Sequence, residues 1–525
     1  MSLRNRELVF LIPALILTTL GFALVYTQKA LALTPDSLMY GVLFLALFLI
    51  AHLGRRFLAA QADPYLLPLT ALLSTLGLVL LYRINPDLAL KQAMWLVVGL
   101  VAFLLVLVCV RDLRWLCRYR YVIGILGLLL LLLTAVLGRD INGARLWVHI
   151  GPIGFQPGEL GKIFLIVFFA AYLVDIREAL TVSTHRFLRV PLPPFRYLWP
   201  LLTIWALSMA LMIFVKDLGT GLLFFGALLA LIYAATGRLF YVLVGIVMFF
   251  AGATLLYFVF AHVRVRVDVW LNPWKDPSNK GYQIVQSLFA LAAGGLFGRG
   301  LGQGYLTFPS GQTIIPNLGT DFIFSAIGEE LGLVGAAGII ILYLIFVYRG
   351  FRIAVAARDD FSRLLTTGLT SIFALQVFLI VGGVIKLIPL TGITLPFVSY
   401  GGSSIVANFV LLALLLRTSD MVNRGQRAGA EETELPGRGA LDGRKKPATD
   451  DIPALDPADD QTMVIAPGMQ PDAGAIPGSN TGQVTRRGRL SGRPGSRPVP
   501  LPPPPRPAQP EDGDSLWDDW TGGAT

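Results

Sequence analysis

Long runs of apolar residues recur along the chain from Leu8 to Leu416, and short polar connections separate them. A helix rises 1.5 Å per residue, so a run of about 20 apolar residues crosses a hydrocarbon core about 30 Å thick. The pattern predicts an all-α polytopic membrane protein with about twelve transmembrane helices. The predicted spans are residues 8–26, 37–53, 65–82, 92–110, 121–138, 158–175, 197–215, 219–236, 239–261, 322–348, 364–386 and 397–416.

Arginines cluster in alternate connections between these runs, for example at Arg55 and Arg56 and again between Arg349 and Arg363. Cytoplasmic loops of membrane proteins carry such an excess of basic residues. The clusters therefore predict that both termini are cytoplasmic. The polar connections of opposite parity, residues 139–157 and 262–321, are expected to face outward.

The composition supports a membrane protein and excludes a soluble one. Hydrophobic residues make up 55% of the 525 positions and charged residues only 14%, against about a quarter in soluble domains. The net charge of +10 could suggest a nucleic-acid partner. Arginine-rich cytoplasmic loops account for that charge, so no nucleic-acid partner is expected.

The last part of the chain differs in composition from the rest. Residues 417–525 hold 16 of the 33 prolines and end in the proline-rich run Pro498–Pro507. Such a segment cannot bury enough apolar surface to fold, so we expect a disordered cytoplasmic tail. It is either a linker or a docking site for a cytoplasmic partner. The predicted division is residues 1–64 for two additional helices, 65–416 for the core and 417–525 for the tail.

The long outward loop 262–321 contains the strongest candidate for chemistry. Pro273 and Pro277 restrict the backbone on either side of Asp276, which holds one carboxylate in a rigid turn. The alternative interpretation is that Asp276 only caps a helix or pairs with Lys275 or Lys280. Helical spacing then places three polar residues on one face, namely Gln283, Gln286 and Ser287.

Charged residues also occur where membrane depth makes them costly. Asp321, Glu329 and Glu330 enter an otherwise apolar span, and each needs a cationic partner or a water-filled cavity. Glu159 lies in the first turn of another predicted span, three residues before Lys162, so the two side chains can pair. Either the pair is a buried ion bridge only, or it also lines a cavity.

Polar interruptions within apolar runs indicate discontinuous helices, which commonly line substrate sites in membranes. Two such interruptions are residues 216–220 and residues 389–404. The glycine-rich segment 294–304 lets the backbone approach another backbone or a ligand closely.

Several motifs occur in a fixed order over residues 85–416. They are Asn142-Gly-Ala-Arg145 with Phe155-Gln-Pro-Gly-Glu159, Asp217-Leu-Gly-Thr220, Gly281-Tyr-Gln-Ile-Val-Gln-Ser287, Thr320-Asp-Phe-Ile-Phe324, Gly328-Glu-Glu-Leu-Gly332 and Leu395-Pro-Phe-Val-Ser-Tyr-Gly-Gly-Ser-Ser404. Together they resemble the SEDS family of RodA, FtsW and SpoVE. The usual member has ten spans, so this resemblance assigns two extra helices to the N-terminus.

The resemblance implies a bacterial peptidoglycan glycosyltransferase. Such an enzyme polymerises lipid II on the outer side of the cytoplasmic membrane and works with a class B penicillin-binding protein. The family's essential aspartate matches Asp276, which the resemblance makes the general base on the acceptor 4-hydroxyl. Undecaprenyl pyrophosphate is then the leaving group, and the anomeric configuration is inverted.

The resemblance and the charge of the substrate assign the remaining candidates. Four cations are expected to bind the pyrophosphate, with or without a divalent ion (Mg or Mn): Arg264, Arg266, Lys275 and Lys280. Other candidates for substrate binding are Gln283, Gln286, Ser287, Thr320, Asp321, Ser399, Tyr400, Ser403 and Ser404. Candidates that shape the cavity or couple it to a partner are Arg145, Trp147, Glu159, Lys162, Lys216, Asp217, Glu329 and Glu330.

Two other functions fit the sequence. A lipid II flippase would depend on Glu329, Glu330 and Lys386, and a non-catalytic scaffold would act through the tail. Within the family, Lys216 stands where many members have proline, and the twelve-span form favours a RodA-like role in elongation over a role in division.

Overall fold

The computed structural model describes residues 3–28, 35–141, 144–151, 153–181, 185–187, 190–192, 195–307 and 312–433. The described residues are mostly helical. The helices are α1 (Leu3–Gln28), α2 (Pro35–Leu58), α3 (Leu66–Ile84), α4 (Pro86–Cys109), α5 (Leu113–Arg118), α6 (Arg120–Leu137), α7 (Pro157–Thr181), α8 (Phe195–Val215), α9 (Leu218–Thr236), α10 (Leu239–Val259), α11 (Ala261–Leu271), α12 (Tyr282–Gly294), α13 (Ile323–Ala356), α14 (Asp360–Val384) and α15 (Gly402–Thr433).

Each of the twelve predicted spans overlaps one long helix. Among the described residues, ten helices are long and apolar enough to cross a membrane. The other two predicted spans correspond to α7 and α8; α7 contains five charged residues, and α8 is represented by the shorter apolar stretch Trp199–Val215. The chain is therefore a multi-pass helical membrane protein, and twelve crossings with cytoplasmic termini stay a prediction.

Short polar residues define where several helices begin. Asn85 precedes Pro86 and its side-chain oxygen accepts a hydrogen bond from the Asp87 N–H (2.9 Å), which caps α4. Asp217 caps α9 in the same way through the Thr220 N–H (3.0 Å). These side chains satisfy backbone donors that have no partner within the helix.

The two additional N-terminal helices pack against the core. The Thr18 hydroxyl of α1 lies 2.8 Å from the Thr75 hydroxyl of α3, and both residues are buried. Glu7 of α1 forms an ion pair with Arg55 of α2 and lies 2.8 Å from the His52 ring nitrogen. Because buried charges are costly without partners, this cluster ties α1 to α2.

The predicted boundary at residue 417 is wrong, because α15 continues without interruption to Thr433. The Arg417 guanidinium is buried and donates to the carbonyl oxygens of Val110 (2.8 Å) and Leu58 (3.0 Å). Asn423 donates to the carbonyl oxygen of Gln61 (2.6 Å). Polar side chains therefore anchor the extension to the core, which a composition argument for disorder overlooks. The rest of the predicted tail, including Pro498–Pro507, lies outside the described residues.

Two small antiparallel sheets accompany the helices, which dominate the described residues as predicted. Strands β1 (Arg139–Ile141), β2 (Ala144–Ile150) and β3 (Ile153–Phe155) lie between α6 and α7 in the order β1-β2-β3. Strands β4 (His185–Phe187) and β5 (Val190–Leu192) pair between α7 and α8. Such short strands do not show a clear apolar periodicity, and they escape a sequence analysis based on it.

Candidate functional site

Asp276 lies in a compact turn between α11 and α12, after a single 3₁₀ turn at Pro273–Lys275. Its Oδ1 accepts a hydrogen bond from Asn279 Nδ2 (3.0 Å), and its Oδ2 lies 3.4 Å from the Lys280 N–H. The turn closes where the Gly281 N–H donates to the Asp276 carbonyl oxygen (2.9 Å). The carboxylate is thus held by its own turn, and its side chain is partly exposed.

The Asp276 carboxylate does not cap α12, whose N-cap residue is Gly281. Any side chain at Gly281 would collide with the Pro273 carbonyl oxygen, so glycine allows the tight closure. The neighbouring Lys275 and Lys280 are exposed. Thr320 lies on a different segment, just before α13 begins at Ile323.

Helix α11 separates the two arginines that the sequence grouped together. Arg264 is exposed and donates to the Phe258 carbonyl oxygen (3.0 Å), while its guanidinium lies 5.7 Å from the Tyr257 ring centre. Arg266 lies on the opposite face and donates to the Thr391 carbonyl oxygen (3.0 Å). The structure therefore directs only Arg266 towards the interior of the protein.

Arg266 and Asp321 approach each other at Gly392. A Cβ built on Gly392 would lie 3.7 Å from Asp321 Oδ2 and 3.9 Å from Arg266 Nη2. Burial raises the pKa of Asp321 to about 6, and the hydrogen bond from Thr320 and the charge of Arg266 oppose this increase. The pKa of Arg266 is lowered by burial, which Asp217 and Asp321 partly offset. The site thus combines a guanidinium and a carboxyl group that titrates near neutral pH.

Lys216 and Asp217 form the break between α8 and α9. Lys216 has a positive φ of 65°, which is uncommon for a residue with a side chain. Burial raises the pKa of Asp217, and the hydrogen bond from the Thr220 N–H opposes the increase. Strained backbone at such breaks commonly accompanies binding sites.

The Glu159–Lys162 pair predicted from the sequence is present, with Lys162 Nζ 2.7 Å from a Glu159 carboxylate oxygen. Lys162 is 4% exposed and also donates to Gln376 Oε1 (3.1 Å). Gln376 Nε2 donates in turn to the Thr394 carbonyl oxygen (2.8 Å). The pair therefore connects α7 to the polar loop that precedes α15.

Glu159 of this pair also lines a cavity, so the carboxylate side of the ion bridge faces that cavity. The cavity encloses about 290 Å³ of space not filled by atoms, including open solvent. Its lining combines the carboxylates of Glu159 and Asp217 with polar and apolar residues. These other residues are Thr134, Leu146, Gln156, Gly158, Met212, Val215 and Thr220.

The loop before α15 is held by the serines predicted to bind substrate. The Ser399 hydroxyl donates to the Thr320 carbonyl oxygen (2.5 Å), and the Tyr400 N–H donates to the Gly319 carbonyl oxygen (2.8 Å). Ser403 Oγ accepts a hydrogen bond from the Gln156 N–H (2.7 Å). Ser404 Oγ accepts a hydrogen bond from the Thr394 hydroxyl (2.8 Å). These contacts bring residues from distant parts of the chain together.

The polar residues of α12 are also engaged. The buried Ser287 hydroxyl lies 2.8 Å from that of Ser325 and donates to the Val384 carbonyl oxygen (3.1 Å). Gln283 Nε2 donates to the Pro316 carbonyl oxygen (3.2 Å). Gln286 is partly buried. The predicted helix is confirmed; Ser287 attaches it to α13 and α14, and Gln283 attaches it to the segment before α13.

Glu329 and Glu330 hold the glycine-rich segment 294–304 against α13. Glu330 Oε2 accepts a hydrogen bond from the Gly302 N–H (2.8 Å), and Glu329 Oε1 accepts one from the Tyr305 N–H (2.6 Å). Arg83 lies 3.3 Å from Glu330 and donates to the Gly304 carbonyl oxygen. The cationic partner that the sequence required comes from α3, and no local motif points to it.

Two candidate residues from the sequence analysis, Arg145 and Trp147, lie in strand β2. Arg145 is exposed, whereas Trp147 is partly buried beside Gly154. Asn142 and Gly143 of the same motif lie outside the described residues. Sequence reasoning missed Gln92, which donates to the Ser399 carbonyl oxygen (3.1 Å) and accepts from the Gly401 N–H (3.2 Å). A polar residue in an apolar run was the available signal.

Among the residues that the structure describes, no group of three or more histidine, cysteine, aspartate or glutamate side chains could hold a metal ion. No step below depends on a divalent ion.

Comparison with known proteins gives the class to which this fold and these residues belong. The family model of cell cycle proteins that comprises FtsW, RodA and SpoVE matches residues 64–424. The chain belongs to this family.

Two similar proteins and one similar solved structure illustrate the family. The peptidoglycan glycosyltransferase RodA of Mycobacterium bovis is 44% identical over 438 residues, which cover 81% of this chain and 92% of that protein. Stage V sporulation protein E of Bacillus subtilis is 34% identical and covers 68% of this chain and 96% of its own length. A solved chain from a peptidoglycan synthase complex that coordinates polymerization and crosslinking has a TM-score of 0.56 at 30% identity, over 70% of this chain and 98% of that one.

Proposed function

We propose that this membrane protein is a peptidoglycan glycosyltransferase of the RodA type that polymerises lipid II into glycan strands. The observation that carries the proposal is the 44% identity with mycobacterial RodA over most of both chains. The rigid turn around Asp276 supports it, because the turn presents a partly exposed carboxylate on the loop between α10 and α13.

Asp276 is the general base in this proposal. It accepts the proton of the acceptor 4-hydroxyl while that oxygen attacks the anomeric carbon of the donor. Attack on the face opposite the leaving undecaprenyl pyrophosphate inverts the configuration at that carbon. The active site then lies on the outer side of the bacterial cytoplasmic membrane, where the predicted topology puts this loop.

The partner in this proposal is a class B penicillin-binding protein. The similar solved chain comes from a peptidoglycan synthase complex that joins polymerization to crosslinking, which supports such an assembly here. We also propose a second partner, a cytoplasmic protein that binds the proline-rich tail.

The decisive experiment gives fluorescent lipid II to the purified full-length protein in detergent, with and without the partner, and separates the products by size. We expect glycan strands of many disaccharides. A protein that moves lipid II across vesicle membranes and forms no polymer would instead be a flippase. In the structure Glu329 and Glu330, which a flippase would need, bind the backbone of the glycine-rich segment.

A further inference from the structure

The inner face of α11 carries three residues at a spacing of four: His262, Arg266 and Trp270. Residues four apart lie on one side of a helix. All three side chains are partly buried, whereas Arg264 and Asp268 between them are exposed. The partly buried side of the helix thus carries a guanidinium, an imidazole and an indole, where an amphipathic helix usually carries apolar side chains.

Two lysines lie at the ends of this face. The Trp270 indole N–H donates to the Lys386 carbonyl oxygen (3.2 Å) at the end of α14. At the other end, Lys216 and Arg266 both lower the pKa of His262, in addition to the larger effect of burial. The Thr391 carbonyl oxygen, which accepts from Arg266, would also lie 3.0 Å from a Cβ built on Gly219 of α9, three residues after Lys216.

Both lysines have left-handed backbone, with φ of 65° at Lys216 and 62° at Lys386. A non-glycine residue in this region is strained, and such strain persists where the surrounding structure enforces it. Each lysine marks a break at a helix end, Lys216 before α9 and Lys386 after α14. Two strained lysines therefore flank the arginine of α11.

Two buried polar atoms at this face have no hydrogen-bond partner among the residues that the structure describes: His262 Nε2 and Thr391 Oγ1. Buried polar groups are normally paired, so these atoms indicate a polar ligand. The carboxylates nearby are already engaged. Asp217 caps α9, Asp268 accepts from the Tyr257 hydroxyl on the exposed side, and Asp321 lies beside Arg266.

The preceding helix supplies an apolar surface for a lipid chain. Helix α10 leads directly into α11, and its residues are exposed or partly exposed on the surface of the described protein except Gly245, which is buried. A prenyl chain could lie along α10 in the bilayer while its charged end reached α11. Cations, a polar ligand site and a lipid surface therefore adjoin one another.

We propose that the inner face of α11, with Lys216 and Lys386 at its ends, binds the diphosphate of the prenyl-linked substrate. The proposal rests on the proposed function and deepens it, since it assigns the diphosphate to Lys216, Arg266 and Lys386. Diphosphates are multiply charged, and the partly buried Arg266 and Lys386 together with the exposed Lys216 would bind one more strongly than an isolated surface cation does. Asp276 follows Trp270 by six residues, within about 20 Å along an extended chain.

The test measures equilibrium binding of radiolabelled farnesyl diphosphate to the purified full-length protein in detergent. Asparagine tolerates left-handed backbone, so Lys216→Asn and Lys386→Asn remove the charges with little change in strain. We expect each variant, and Arg266→Gln, to weaken binding about tenfold, which corresponds to the loss of one charge-assisted contact. Lys216→Arg should keep most of the affinity. The control Lys91→Asn removes an exposed lysine of α4 and should bind as the wild type does.

Three results would overturn the proposal: unchanged affinity in Lys216→Asn and Lys386→Asn, equal binding of farnesol and farnesyl diphosphate, or equally strong competition by phosphatidylglycerol, which would indicate a general anionic-lipid surface. Thermal unfolding of each variant identifies any that fail to fold. If Lys216→Asn is one of them, the wild type is compared with Lys216→Arg instead. Polymerisation of lipid II is measured separately. Wild-type protein that binds the diphosphate and makes no glycan contradicts the proposed function, whereas a polymerase without this binding contradicts the present inference.

Discussion

At the residue scale, the local turn makes Asp276 suited to accept a proton. Its two carboxylate oxygens face an amide and a backbone N–H of the same turn, so the side chain stays oriented without a distant partner. The turn closes at Gly281, where a larger residue would collide with Pro273. The geometry of this residue therefore depends on a few neighbours in the sequence.

The Asp276→Asn variant should fold normally and lose glycan synthesis by at least about a hundredfold, because an amide keeps the shape and loses the basicity of the carboxylate. Polymer length and rate from fluorescent lipid II measure the effect. Asp268→Asn is the matched control, since Asp268 is an exposed carboxylate on α11 that contacts Tyr257. Near-normal polymerisation by Asp276→Asn would remove the residue from the mechanism.

Asp321 gives a second residue-scale prediction, on pH. Its pKa is about 6 in the folded protein against 3.8 for an ordinary aspartate, so the native state binds more protons between these values. The free energy of unfolding should therefore fall as the pH rises from about 4 to about 6 and change little from this group above that. Asp321→Asn lacks the titration, so its stability relative to the wild type should rise across the same window.

Thermal unfolding of both proteins in detergent at several pH values measures this difference. A difference that stays constant from pH 4 to pH 6 would contradict the raised pKa. A difference that moves in favour of the wild type would mean that Arg266 stabilises the charged carboxylate more than burial destabilises it.

At the element scale, the kink in α13 and the glycine-rich segment fit together through backbone. Gly332 departs from helical geometry within α13, and the Leu333 N–H donates to the Gly295 carbonyl oxygen (2.9 Å). Gly298 has a φ of 79°, and a Cβ there would collide with the Glu330 carbonyl oxygen. The two elements thus exchange hydrogen bonds that helix and loop would otherwise leave unsatisfied.

Gly298→Ala should therefore lower the free energy of unfolding by about 2 kcal/mol or more, since it combines backbone strain with a collision. The control is Gly338→Ala in α13, where a Cβ meets no atom within 4 Å. Alanine favours helix over glycine, so the control should be neutral or slightly stabilising. Equal melting temperatures for the two variants would show that the segment moves freely away from α13.

At the scale of the whole molecule, the end of α15 connects parts of the chain that are far apart in sequence. Arg417 and Asn423 contact the α2–α3 connection and the end of α4, and the Gln61 N–H donates to Asp420 (2.8 Å). Asp63 in turn forms an ion pair with Arg349 of α13. Hydrogen bonds to α15 and the ion pair between Asp63 and Arg349 therefore hold the helices together at this end.

Chains truncated at two points test this arrangement. A chain ending at Thr433 keeps α15 and should polymerise lipid II within a few-fold of the full-length rate. A chain ending at Leu416 loses the buried Arg417 and Asp420 and should be obtained in lower yield with a lower melting temperature. If the shorter chain matches the longer one in both measurements, these polar contacts contribute little.

The sequence by itself predicted a long helix at each of the twelve apolar runs, and it determined the position of Asp276 between two prolines and the family of the protein. Each depends on local composition or on motifs in order, which the chain displays without folding. The pairing of Glu159 with Lys162 was likewise predictable, because helical spacing fixes it. The helical end of α15 was not, because its stability comes from contacts with distant carbonyl groups.

The tertiary structure alone decided which cations face inward. Arg264 and Arg266 are two residues apart and look equivalent in sequence, yet α11 points one to solvent and the other to Thr391. Similarly, Lys216 and Lys386 are 170 positions apart in the sequence. They lie at opposite ends of α11 only because the start of α9 and the end of α14 are beside that helix. Sequence periodicity fixes which residues share a helix face, whereas the packing of helices fixes what that face meets.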